Sequence, residues 1–194
     1  MKHFCIALLL FTCTGAFAQK LTYNIFLFGS KIGQSVVERD IKSGSETDYT
    51  LNSASEAHIF FTTRRITLHY DIVFKDDIYF SSYSKHTRND ELQITTITRN
   101  GNSYTVKRNN ENFIVNGLVN CSTIKLFYAE PCSENHMLSE RLGEFRSVKK
   151  TAPGTYEAEM SDGITYIYRY KDGKLVELEM RKGILGSIYL RLQQ

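Results

Sequence analysis

The stretch RITLHYD carries the spacing best suited to chemistry in this 194-residue chain. Side chains alternate faces along an extended strand, so Arg65, Thr67, His69 and Asp71 fall on one side. A histidine beside a carboxylate can be oriented as a base or can bind a metal. The hairpin arm beyond Lys75-Asp76-Asp77 brings His86 close to this group if the turn gives the right register. The same alternation also describes the solvent face of any half-buried strand. His58 and His136 complete the histidines beyond the leader. A second cluster, SENHMLSERLGE, holds Glu134, His136, Glu140 and Glu144. Two carboxylates divide acid and base roles only at a set separation and in unequal environments, and the plain reading is a polar loop entering an edge strand. The third group is ITYIYRY, which stacks Tyr166, Tyr168 and Tyr170 on one strand face. Such a row can line a ligand cavity or pack cross-strand, and it is the expected ligand-facing feature. No catalytic residue, metal ligand or cofactor is assigned, because G-x-S-x-G, H-E-x-x-H, a Walker loop and a dinucleotide fingerprint are all missing.

Cys121 and Cys132 enclose STIKLFYAEP. They stand eleven positions apart, so the C-x-x-C redox spacing is absent, and no clustered histidines complete a zinc set. Between them Ile124, Phe127 and Tyr128 form a helical stripe, Ser122 is a good N-cap type, and Pro131 prevents continuation. One short helix near 122–129 is expected, its apolar stripe laid on a sheet face or over a barrel end. A helix rising ~1.5 Å per residue, followed by a fold-back at roughly 3.3 Å per residue, can bring the two Cα atoms within the ~7 Å a bridge needs. A structural disulfide is therefore expected, with two free thiols or a redox-active pair as alternatives.

These elements need a compartment and a scaffold. The opening MKHFCIALLLFTCTGAFAQK has a basic start, a short apolar core and a small-x-small site ending at Ala18. It reads as a secretory signal peptide, residues 1–18, cleaved before Gln19. Its apolar run is shorter than the ~20 residues that span a bilayer. Export places the cysteine pair in an oxidising compartment, where disulfides persist. Removing Lys2 lowers the formal charge from +3 to +2. Acidic and basic residues interleave and there is no Trp, which gives no support for nucleic-acid binding.

Residues 19–194 read as one domain. Period-2 alternation dominates, as in Leu21, Tyr23, Ile25 and Leu27, or Ile66, Leu68, Tyr70, Ile72 and Phe74. Asn100-Gly101, Pro153-Gly154 and Asp172-Gly173 mark tight turns. About a dozen strands on short links favour antiparallel neighbours. Several strands carry apolar residues on both faces, such as Phe26 and Ile167, which points to a strongly curved sheet. The expected fold is all-β: one antiparallel meander forming a half-barrel or open barrel, with a two-sheet sandwich as the alternative.

The order of YNIFLFGSKIGQSVVE, STIKLFYAEP, SERLGEF and DGITYIYRYKDGKL resembles an uncharacterised family of exported bacterial β-rich proteins common in Bacteroidetes. The resemblance covers nearly the whole mature chain. It implies a periplasmic fold of curved-sheet or open-barrel type and supplies no catalytic residues. The expected function is a noncatalytic periplasmic module holding an apolar or amphipathic ligand, a lipid or envelope glycan, in its concavity. A structural or interaction protein of the envelope, working through a sheet edge, is the first alternative. An enzyme acting on envelope carbohydrate or lipid is the second, and would need His69, Asp71 and His86, or Glu134 and Glu140, to converge.

Overall fold

The computed structural model describes residues 18–42, 44–59, 61–131, 136–183 and 186–193. The expected signal peptide up to residue 17, Cys132 and Glu134 lie outside the described residues. In chain order the strands are β1 (Ala18–Leu27), β2 (Ser30–Ile41), β3 (Glu46–Ile59), β4 (Thr62–Lys75), β5 (Ile78–Arg88), β6 (Glu91–Asn100), β7 (Ser103–Arg108) and β8 (Glu111–Asn116). A 3₁₀ turn, Lys125–Phe127, follows. The chain then forms β9 (His136–Ser139), β10 (Glu144–Ser147), β11 (Lys149–Ala152), β12 (Thr155–Glu159), β13 (Thr165–Lys171), β14 (Lys174–Arg181) and β15 (Ser187–Leu192).

Thirteen strands form one sheet in the order β11-β12-β13-β14-β15-β1-β2-β3-β4-β5-β6-β7-β8, and β9 pairs with β10 as a separate hairpin. Every strand pair is antiparallel. The sheet does not close on itself, since β8 and β11 are its two edges. The expected meander, its strong curvature and its open-barrel character are all present, and the sandwich is not. Gly101-Asn102, one residue on from the expected Asn100-Gly101, and Asp172-Gly173 make two-residue hairpin turns, with Gly101 at φ 60° and Asp172 and Gly173 at 51° and 73°.

The alternation read from sequence sorts residues to the two faces. Tyr23, Ile25, Val37, Leu51, Tyr70, Ile72, Phe74, Tyr79 and Tyr104 are buried in one core. Aromatic edges knit it together, as in Phe74–Tyr79 at 5.2 Å and Tyr79–Tyr104 at 5.8 Å between ring centres. Phe26 follows the β1 alternation to the outer side, under Arg191, and the register shift beside it places the extra residue, Ile32, in β2. Ile167 is buried on that outer face as well, opposite Glu179 of β14, which Arg169, Arg181 and Ser187 cover.

The expected short helix is one 3₁₀ turn, and Ser122 does not cap it. Ser122 is buried and bridges to Leu138 of β9 instead. The meander gives the sheet two rims. The β1–β2, β3–β4, β5–β6, β7–β8 and β14–β15 turns share the upper one. The β2–β3, β4–β5, β6–β7 and β13–β14 turns share the lower one with Gln19, β15's end and the 3₁₀ turn.

Candidate functional site

The concavity is occupied by the chain itself. Between β8 and β11 the chain leaves the sheet, and Val119, Ile124, Leu126, Met137, Leu138 and Leu142 are buried in the common core. A hairpin turn inside a barrel must find donors for its carbonyls, since unpaired buried polar groups are costly. The sheet supplies them from small polar residues that interrupt its apolar face. Ser84 donates to the carbonyl of Glu140 at 3.0 Å. Gln93 and Thr95 donate to that of Arg141 at 2.7 and 2.8 Å, and Arg108 to that of Leu142 at 3.0 Å. At the turn Gly143 has φ +69°, and a Cβ there would lie 2.3 Å from Cγ1 of Val106.

Glu140 has no exposed surface. Its carboxylate accepts the Thr123 hydroxyl and, at 3.2 Å, the backbone N–H of Ile124. The first N–H groups of a helical turn lack internal partners, and here a carboxylate from a distant hairpin takes the role expected of Ser122. Burial pushes the Glu140 carboxyl up. Arg141 reaches the other way, to Asp162 at 2.6 Å beyond β12. The plug thus ties β5–β7 near one edge of the open sheet to β12–β13 near the other.

The tyrosine row faces this plug. Tyr168 donates to Sδ of Met137 at 3.9 Å, and Tyr170 to the carbonyl of Leu126 at 2.6 Å. Tyr166 packs 6.3 Å from Tyr168. Cys121 is buried beside them, and its carbonyl accepts the N–H of Leu138 at 3.0 Å.

The RITLHYD group lies on the outer face. His69 is 2.8 Å from Oδ1 of Asn52 through Nδ1 and 2.9 Å from Oδ2 of Asp71 through Nε2. Arg65 pairs with Glu56. His86 does not join them: it stands opposite Leu68, while Lys85 stands opposite His69, so the two histidines fall on opposite faces of the sheet. Burial, reinforced by Arg141, lowers the His86 pKa to about 4. A groove of about 500 Å³ around His69 is lined by Gln34, Asn52, Thr67, Lys85 and Thr87. Glu144, on the second strand of the plug hairpin, is taken up by Arg146 and Ser161. His136 is exposed at the start of β9, and His58 lies 3.0 Å from Thr63 in the β3–β4 hairpin. Among the described residues no three His, Cys, Asp or Glu side chains form a group able to hold a metal ion.

A cleft of about 450 Å³ opens at the lower rim. Leu21, Tyr23, Phe127, Leu175 and Leu192 give it an apolar floor, and Gln19, Lys20, Lys174 and Gln193 ring its mouth. Tyr23 and Phe127 meet edge to face at 5.2 Å, and the Tyr23 hydroxyl donates to Leu175 at 3.0 Å. Tyr128 closes one side: its hydroxyl donates to the Gln19 carbonyl at 3.1 Å, and Arg39 lies over its ring at 4.9 Å while bonding the Gln19 side chain at 2.8 Å. Burial raises the Tyr128 hydroxyl well above its ordinary range. The sequence shows Phe127 and Tyr128 as a stripe but not the cleft, which needs four separate segments to meet.

A single curled antiparallel sheet around a hairpin of its own chain defines a β-barrel-like domain. It is similar to the crystal structure of a β-barrel-like protein of unknown-function domain DUF1849 from Brucella abortus, with a TM-score of 0.57 at 12% identity over 90% of this chain and 95% of that one. The chain belongs to the DUF6134 family, a domain of unknown function whose pattern matches residues 23–193. None of the curated proteins matches the chain. No helix among the described residues is long and apolar enough to cross a membrane.

Proposed function

We propose that the protein is a noncatalytic binding module of the bacterial periplasm that holds an amphipathic ligand, a lipid with an acidic head, in the lower-rim cleft. The observation that carries this reading is the composition of that cleft. Small-molecule sites are mostly apolar with a few placed polar groups, in volumes of several hundred Å³. Here an aliphatic and aromatic floor meets two rim lysines, Lys20 and Lys174, the former 2.8 Å from Glu38. Of the row Tyr166, Tyr168 and Tyr170, none lines the cleft, and Tyr170 serves it from behind by holding the carbonyl of Leu126 next to Phe127 in the floor. Export with cleavage between Ala18 and Gln19 sets the compartment, and a Cys121–Cys132 bridge would staple the plug.

Native mass spectrometry of protein matured in a bacterial periplasm tests this. The expected spectrum shows a discrete extra mass that leaves on denaturation, a chain beginning at Gln19, and a two-hydrogen deficit for the bridge. The Leu175→Arg variant loses the extra mass and Lys174→Glu weakens its retention. A bare mass, with no acidic lipid bound on titration, would reject the cleft as a lipid site.

A second reading, an envelope interaction protein working through a sheet edge, is favoured by β8. That strand is an edge, and its Ile114 is 67% exposed. An exposed edge with an apolar residue is a template for strand addition. A partner crosslinked through Ile114 would support it.

A further inference from the structure

The hairpin turns are not all of one kind. Lower-rim turns are built from Asp76-Asp77, Gly101-Asn102 and Asp172-Gly173, polar types that suit tight turns. The upper rim has such turns at Asn89-Asp90 and Asn109-Asn110, but its β1–β2 and β3–β4 turns carry Phe28 and Phe61. Phe28 is 71% exposed and sits at φ 49°, followed by Gly29 at 80°. Two successive left-handed residues define the hairpin turn in which Asn-Gly is preferred. A bulky side chain there is a backbone outlier, and this one reaches no core. The comparable positions elsewhere are Asp76, Asn89, Asn109 and Asp172. Phe28 therefore does not serve the turn, and its packing is at the surface, where the ring edge rests against Gly186.

Phe61 is fully exposed at the tip of β3–β4. That hairpin outruns its neighbours. Pairing with β2 stops at Gly33↔Ser55, and pairing with β5 begins at Ile66↔Arg88. Four pairs, Glu56↔Arg65 to Ile59↔Thr62, extend beyond both. They project roughly 13 Å, and the two tips are about two strand spacings, roughly 10 Å, apart. Lys31, Arg64 and Lys182 stand exposed around them, and no ion pair engages them among the described residues. Of the acidic residues on this rim, Glu56 is paired with Arg65 within the projecting hairpin, and Asp90, Glu91 and Glu111 sit on the β5–β6 and β7–β8 side.

We propose that the upper rim docks on an anionic bilayer surface, with Phe28 and Phe61 inserted at the interface and Lys31, Arg64 and Lys182 against the headgroups. A protein partner would call for a contiguous apolar patch with a polar rim. Two separate aromatic tips with cations around them fit a fluid, negatively charged interface, where each nearby Lys or Arg adds attraction. Docked this way, the lower-rim cleft faces away from the bilayer.

The chain has no Trp, so Phe61→Trp and Phe28→Trp are each the sole tryptophan reporter in the purified full chain. With phosphatidylglycerol vesicles the expected result is a blue-shifted emission quenched by brominated acyl chains. The response weakens in high salt and is absent with phosphatidylcholine vesicles. A Leu118→Trp control near the lower rim stays unquenched. The Phe28→Asn/Phe61→Ser double variant lowers sedimentation with anionic vesicles at least tenfold, while its melting temperature holds or rises because the turn at 28 improves. Lys174→Glu, which tests the cleft, leaves vesicle binding unchanged, so the two proposals fail separately. No quenching at either upper-rim position, equal binding to neutral vesicles, or a protein crosslinked through position 61 in cells while vesicles are ignored would each overturn the docking.

Discussion

Glu140 lies inside the curled sheet with no exposed surface, and Asp71 lies outside it, 54% exposed. Each sits beside hydrogen-bonding partners: Thr123 and the Ile124 N–H for the first, His69 for the second. In sequence Asp71 has the look of chemistry and Glu140 the look of a polar loop. The fold reverses their weight. Inside, where water is excluded, each group the plug brings must be matched by one the sheet provides. Outside, water screens the His69–Asp71 pair, and exposed ion pairs of this kind contribute little.

The sharpest break of this contrast is Gly143→Ala. It combines a left-handed φ with a collision against Val106, and should destabilise by about 2 to 4 kcal/mol, read as a lower urea midpoint. Glu140→Ala should follow at about 1 to 3 kcal/mol, because Thr123 and the Ile124 N–H keep no acceptor, and Glu140→Gln should recover part of it. Tyr170→Phe, which frees only the Leu126 carbonyl, should lower stability by about 1 kcal/mol in the same assay.

The pH dependence separates the two inner groups. His86 is held neutral with its pKa near 4, below its ordinary 6.5. Its contribution is present above pH 6.5 and is lost as pH falls towards 4, about 1 kcal/mol once its partial exposure is discounted. Glu140, whose pKa is raised, runs the other way. Its contribution is full below the ordinary carboxylate value and is lost as pH rises through the raised one. In urea titrations from pH 4 to 8, His86→Leu should remove the acid-side loss and Glu140→Gln the opposite slope. At the small end, His69→Ala and Asp71→Asn should each change stability by less than about 0.5 kcal/mol. A loss as large as that of Glu140→Ala would dissolve the contrast.

Local signals made the meander legible. Gly101-Asn102 and Asp172-Gly173 fix their hairpins through backbone angles set by the turn residues themselves, and alternation sorts Tyr70, Ile72 and Phe74 inward. The turn at 125–127 followed from Ile124, Phe127 and Pro131, but its cap did not, because Glu140 lies 17 residues from Thr123. The burial of the β9–β10 hairpin depends on Ser84, Gln93, Thr95 and Arg108 donating to backbone carbonyls, and a carbonyl acceptor has no sequence signature. Whether His86 meets His69 was a matter of register, and the Leu68↔His86 pairing puts them on opposite faces. The cleft stayed hidden because Gln19, Phe127, Lys174 and Leu192 meet only when β1 pairs with β15.

That pairing of the first strand with the last has a temporal side. A ribosome delivers Tyr23 long before Leu192, its partner across the ladder. Until then β1 carries a row of unsatisfied amides and carbonyls, open to any extended segment that passes. Contacts so distant along the chain are slow to form, so the sheet's middle can assemble early while its β1–β15 junction waits for the whole polypeptide. A nascent or truncated chain lacking β15 should therefore be aggregation-prone in a way the finished molecule is not.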